Sequence, residues 1–196
     1  APFVSEHLSN NKNAVFISSE QAVEELATSA EYRQIQARIA DITPEVLSFT
    51  DTVTNGIKTR VYRMKHGPYY IEDPATGEMI NKHRDVENLG FLFEIDGIRI
   101  FHSGDSSPSC IEDYSKFRLD RENIDIAILG RQFMWSADCE GIDVIKNYIA
   151  PEHIILNHIR LDQAQRFMDT AEALKNHFPG VKVFNEKMET KLYHIQ

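Results

Sequence analysis

The sequence has no long apolar run, no cluster of basic residues and almost no cysteine, and each of these absences excludes something. Its apolar stretches are only a few residues long, far short of the 20 or so that a membrane-spanning helix needs, so no membrane partner is expected. The formal net charge is −9, and no Lys/Arg group stands out that would meet a row of phosphates. A nucleic-acid substrate is therefore not expected, and a small molecule is. Two cysteines, Cys110 and Cys139, are too few and too far apart for a disulfide framework or a C-x-x-C site. Two unpaired thiols are expected, or a single bridge if the protein is exported; the compartment is left open. No repeat, low-complexity tract or linker breaks the 196 residues, so residues 1–196 are expected to form one domain.

What is present reads as alternating strands and helices. Val15–Ser18 suits a short buried strand, and Ser18 or Ser19 can cap a helix over residues 21–26 whose early acids complement the helix dipole. Residues 31–39 read as a second amphipathic helix, stopped before Thr43-Pro44. Asn55-Gly56 and Asp96-Gly97 are hairpin turns, joining residues 46–54 to 57–64 and residues 89–95 to 98–102. Between these hairpins, the polar, turn-rich Gly67–Asp85 is expected to be a long surface loop. Further along, helices are expected over residues 111–117, 142–149 and 163–177, with strands over 124–129, 154–156, 181–184 and 191–194. The class is α/β, and the hairpins argue against a purely parallel sheet.

Three chemistry-bearing residues share one kind of position, the end of an expected strand. His66 follows "RVYRMK", Asp105 closes "FHSGD" and His158 closes "IILNH". Strand ends in layered α/β folds gather on one rim, and two imidazoles with a carboxylate are donors that zinc or iron accepts. Asp105 can also be a turn aspartate and either histidine an ordinary surface one. Phe133, Met134 and Trp135, after a strand at the same rim, are candidates to line a pocket or to pack the core. Tyr69 and Tyr70 are weaker pocket candidates.

The words around these residues resemble the metallo-β-lactamase superfamily. "ENLGFLFEIDGIRIFHSGD" is similar to the hairpin that delivers the family's metal-bridging aspartate, and "TRVYRMKHG" to the strand ending in its third metal-binding histidine. "IDIAILGRQFMW", "IAPEHIILNHI" and "VFNEKMETKLY" resemble the elements that follow, in the family's order, over residues 45–193. The resemblance implies an αββα sandwich of two mixed sheets (α/β, or α+β) whose metal site lies at one edge. It implies metal contacts from His66, Asp105 and His158, with Asp105 bridging two cations and carrying the catalytic role. The metal implied is zinc, two ions in a complete site, with iron or manganese as alternatives. The reaction implied is hydrolysis, in which a metal-bound hydroxide attacks an ester, lactone, amide or similar bond.

His83 is the alternative to His66, because some branches of the family place a histidine just before the "NLGF" strand. Its neighbours Lys82 and Arg84 weigh against it. Gly104 is expected to turn the chain so that Asp105 points at the rim, and His102 to face away or to stand behind a ligand and orient it. His153 sits early in its strand, and His7, His177 and His194 read as surface or packing residues.

One departure from the family is large. Its members carry an H-x-H-x-D-H run on an early strand, and the only early histidine here is His7. The opening at Ala1 is what a processed product or a piece of a longer protein would show, with the N-terminal strands missing. Such a piece is expected to bind metal weakly, to turn over little, and to form homo-oligomers or recruit the missing segment through an uncovered apolar edge. A catalytically inactive, truncated binding protein and a one-metal iron protein are the alternative readings.

Overall fold

The computed structural model describes residues 2–184, 186, 189–190 and 192. Its centre is a seven-stranded mixed sheet in the order β11-β10-β9-β8-β7-β4-β3. The Asn55-Gly56 turn folds β3 (Phe49–Thr54) back on β4 (Ile57–Lys65). The Asp96-Gly97 turn does the same for β7 (Glu87–Ile95) and β8 (Ile98–His102). Both turns place their two residues at positive φ, with Asn55 at 52°, Gly56 at 82°, Asp96 at 52° and Gly97 at 84°, as a two-residue hairpin demands. β9 (Ile126–Gly130), β10 (His153–Asn157) and β11 (Val181–Val183) then add in parallel.

One face of this sheet carries the core. Tyr62, Leu92, Phe101, Ala127, Leu129 and Leu156 alternate along their strands toward α4 (Ile111–Phe117), α5 (Glu140–Val144) and α6 (Ala164–Ala173). Full burial of each large side chain contributes roughly 1.5–3 kcal/mol. Edge-on aromatic pairs, Tyr62 with Phe101 and Tyr114 with Phe133, fix its shape. The opposite face, with Phe91, Phe93, Ile98, Ile100, Ile126 and Ile128, is only half-buried.

A smaller N-terminal cluster consists of α1 (Pro2–Asn10), β1 (Phe16–Ser18), α2 (Glu20–Ala27), α3 (Tyr32–Ile35) and β2 (Ile39–Asp41) around Leu8, Leu26 and Ile35. Ser19 caps α2, its side chain accepting from Ala22 N–H. Gln21 and Glu87 tie this cluster to the main sheet through reciprocal backbone–side-chain bonds of 3.1 and 2.9 Å.

Several elements differ from the sequence expectation. The helix expected over residues 31–39 ends early, because Ile39–Asp41 pairs in parallel with β1 as β2. Gly67–Asp85 is not a plain loop. It contains the hairpin β5 (Tyr70–Glu72) and β6 (Met79–Asn81), turned at Asp73–Glu78. The helix of residues 142–149 widens after Val144 into a π turn over Ile145–Ile149, closed by Ala150 N–H on Ile145 O at 2.7 Å. The strand expected over residues 191–194 lies almost wholly outside the described residues; Leu192 is described and is not in a strand. Beside the seven-stranded sheet, the described residues form two two-stranded pairs, β1–β2 and β5–β6. No helix among them is long and apolar enough to cross a membrane.

Candidate functional site

Strand direction gathers the polar residues. β4 and β8 each run antiparallel to β7, and β9 and β10 run parallel to β8, so these four strands end at one edge of the sheet. His66 follows β4, Asp105 follows β8, Arg131 follows β9 and His158 follows β10. Asn88, at the start of the oppositely directed β7, lies at the same edge. The edge opens on a cleft of about 610 Å³ lined by His66, His83, Asp105, Arg131, Trp135 and His158, among others. That volume suits a small molecule.

The turn that presents Asp105 is held from three sides. Asn88 Oδ1 accepts Asp105 N–H at 2.8 Å, and its Nδ2 donates to Ser103 O at 3.3 Å. His102 Nδ1 accepts Gly104 N–H at 2.9 Å, while its Nε2 pairs with the Asn157 side-chain amide at 3.1 Å. Gly67 N–H donates to Asp105 O at 2.8 Å. Gly104 itself has φ +59°, and a Cβ there would collide with Asn88 Oδ1 and Leu89 O. His66 is fixed through its backbone neighbours. Buried Asp113 accepts Lys65 N–H at 2.6 Å, and the Cys110 thiol donates to Lys65 O at 3.7 Å. Burial pushes the Asp113 carboxyl above its ordinary range, an effect the Lys65 amide opposes.

His66 Nδ1 lies 2.8 Å from the Gly67 carbonyl, and His83 Nδ1 lies 3.1 Å from the same oxygen. A carbonyl only accepts, so each neutral ring carries its proton on Nδ1 and a lone pair on Nε2. The Nε2 of His66 stands 3.6 Å from Asp105 Oδ2. A lone pair facing a carboxylate oxygen is repulsive unless a cation, proton or metal, stands between them. On the other side, His158 Nδ1 is 4.0 Å from Asp105 Oδ1. His158 has φ +58°, an uncommon backbone state for a residue other than glycine and one found disproportionately at functional sites.

Two ligands of one tetrahedral zinc, each at roughly 2.0–2.1 Å, are roughly 3.3 Å apart. The His66–Asp105 edge is close to that spacing and the His158–Asp105 edge is wider. Among the described residues, no group of three or more His, Cys, Asp or Glu side chains is assembled closely enough to hold a metal ion. The donor chemistry thus fits a divalent cation at the His66–Asp105 edge, with coordination that these residues alone leave incomplete. Asp105 and His158 side chains are 60% and 69% exposed, so the site is open on the cleft side.

His66 and His83, weighed as rivals, are neighbours with ring centroids 4.1 Å apart. Phe133 and Met134 are not pocket residues: both are fully buried in the core, because the turn after β9 tucks them beneath the sheet. Trp135 and Tyr69 line the cleft, whereas Tyr70 lies on β5 outside its lining. His102 stands behind the Asp105 turn, as described above. Cys110 and Cys139 are free thiols. Asn88, Asp113 and Arg131 escaped the sequence reading. The signal for Asn88 was a polar residue opening an otherwise apolar strand, and for Arg131 a cation directly after a buried one.

His102 gives this arrangement a pH dependence. Burial holds its imidazole below the ordinary 6.5, against the opposing pull of the Asp105 charge. A histidine with a depressed folded-state pKa contributes stability that is present above 6.5 and lost as pH falls through the folded value. Protonation also converts Nδ1 from the acceptor of Gly104 N–H into a donor. The expected result is a fall in urea-unfolding free energy that sets in as pH drops below 6.5 in the wild type and is smaller in His102→Gln, whose paired carboxylates still titrate at lower pH.

No protein-family model matches this chain, and no curated protein matches it. Among solved structures, it is similar to a Thermotoga maritima protein of the metallo-β-lactamase superfamily. That match has 17% identity and a TM-score of 0.35, covering 62% of this chain and 50% of the other. It is also similar to Zn2+-bound PqqB from Methylobacterium extorquens, at 13% identity and a TM-score of 0.45, covering 94% of this chain and 68% of PqqB. The chain spans half the length of the first protein and about two thirds of the second. Both likenesses are partial, with TM-scores below 0.5, and they assign this chain no family, metal or residue.

Proposed function

We propose that this chain forms the strand-end side of a zinc-dependent hydrolase of the metallo-β-lactamase kind, cleaving an ester, lactone, amide or similar bond of a small molecule. The observation that carries the reading is the pair of imidazole nitrogens facing the two oxygens of Asp105, at 3.6 and 4.0 Å, on the floor of an open cleft. His66 is held with Nε2 free to donate by its Nδ1 bond to Gly67 O, the usual way a protein sets a ligand histidine's tautomer. Asp105 offers one oxygen toward each histidine and supplies the negative charge that two close cations need. Its peptide is anchored by Asn88, which keeps the carboxylate at the cleft, where it can orient a water or take a proton. His83, beside His66, is a further nitrogen donor for the same edge. Bound zinc would supply Lewis acidity and an acidified water. The net charge of −9 supports a small molecule over a nucleic acid.

The absence, among the described residues, of a closely assembled three-donor group favours a second reading, a binding protein on this fold without catalysis. Elemental analysis of the purified chain, with turnover of p-nitrophenyl acetate and of a simple lactone before and after chelation, separates the two. Weakly held zinc with slow, chelator-sensitive turnover is the expected result. Zinc without turnover keeps the metal site and removes the hydrolase, and no zinc at all overturns both and selects the binding protein.

A further inference from the structure

Arg131 begins the turn after β9 and lines the cleft together with Asp105, His158 and Trp135. Its Nη1 donates to His158 O at 3.3 Å and to Gln163 Oε1 at 3.2 Å. Both acceptors are neutral, and among the described residues no carboxylate lies within ion-pair distance of this guanidinium. Arg166 nearby also donates only to a carbonyl, but its guanidinium is already engaged on the Trp135 ring. Arg160, two residues past His158, is clamped by both oxygens of Asp162, and Arg118 is clamped in the same way by Asp120. In a chain with 30 acids to 21 bases, a cation in the cleft would readily have been given a carboxylate. Glu140 also lines the cleft and makes no pair with it.

The two bonds at Nη1 fix the guanidinium plane and leave Nε and Nη2 uncommitted. Those two N–H groups form the fork that takes a carboxylate or phosphate bidentately. Trp135, 40% exposed, stands beside it in the lining, its ring backed by Arg166 at 3.9 Å and therefore held in place. We propose that the cleft takes an oxyanion-bearing small molecule, a carboxylate or phosphate monoester on an apolar body. Arg131 anchors the oxyanion and Trp135 meets the apolar part. This inference rests on the cleft being the substrate site of the proposed hydrolase, and it names the substrate class. Arg131 is then the specificity-determining residue, selecting charged over neutral substrates of the same shape.

The test is calorimetric titration of the full chain with phenylacetate, phenyl phosphate and the neutral phenylacetamide, zinc-loaded and after zinc removal by dialysis. Wild type, Arg131→Gln and Arg131→Lys are compared. Either anion is expected to bind more tightly than the amide, and the tighter of the two identifies the oxyanion. Arg131→Gln should weaken anion binding about tenfold or more and leave the amide unchanged, and Arg131→Lys should recover part of the loss. The difference should persist in the zinc-free protein. An equal loss for charged and neutral ligands would reduce Arg131 to a staple on His158. Anion binding that ignores Arg131→Gln and disappears with the zinc would assign the anion to the metal. Either result overturns the proposal. Turnover judges the hydrolase separately: Arg131-dependent anion binding without ester or lactone cleavage keeps this inference and removes that reading.

Discussion

Asp105→Asn is expected to weaken zinc binding by about a hundredfold or more while leaving the fold intact. Losing even a group that merely supports a ligand costs roughly tenfold to a hundredfold in metal affinity, and Asp105 faces both histidines directly. The substitution removes the negative charge between them. It also leaves an amide nitrogen where a cation contact is needed. Stability should change little, within about 0.5 kcal/mol, because the side chain is 60% exposed and the backbone bond to Asn88 survives. Zinc titration with a competing chelator reads the affinity, and urea unfolding reads the fold. A variant that keeps wild-type affinity would remove Asp105 from the metal site.

Gly104→Ala is expected to cost about 2–5 kcal/mol of stability and to displace Asp105. An alanine at φ +59° costs roughly 1–2 kcal/mol by backbone sterics alone. Its Cβ would also press on Asn88 Oδ1 and Leu89 O, and overpacking adds roughly 1–3 kcal/mol. Relief would have to come from moving Asn88, which holds both Asp105 N–H and Ser103 O. Gly97 is the internal control, since its φ of +84° is equally special but nothing lies within 4 Å of a Cβ there. Urea unfolding of both variants separates strain from collision. A loss at Gly104 no larger than at Gly97 would contradict the steric account.

The two Asx-Gly hairpins were legible because each turn needs residues that tolerate positive φ, and the strands around them alternate cleanly. The rim itself was legible for a related reason. Hairpins reverse strand direction and parallel crossovers preserve it, so once β4, β8 and β10 are recognised their ends must share an edge. β2 and the β5–β6 hairpin were not legible. Each strand has three residues, and Tyr70 and Met79 are exposed, so no buried face imposes a period on them. That hairpin also explains His83. Its flanking Lys82 and Arg84 argued against a site residue, yet Lys82 N–H closes on Tyr69 O at 2.8 Å and carries His83 back to the Gly67 carbonyl. Phe133 and Met134 show the opposite failure. Their place after a strand at the rim made them pocket candidates, but the short helical turn from Arg131 directs them inward and leaves Arg131 and Trp135 facing out. Pairing of Asn88 with the Asp105 turn joins positions 17 residues apart, and local pattern carries no trace of such a contact.

The central claim is that Asp105 holds metal between His66 and His158. The most direct measurement is anomalous diffraction from zinc-soaked crystals, with data collected on both sides of the zinc absorption edge. The account predicts a zinc peak at roughly 2.0–2.2 Å from both His66 Nε2 and an Asp105 oxygen, with any second peak on the His158 side of the same carboxylate. Zinc found only at His7, His153 or the cysteines, with none at Asp105, would contradict it.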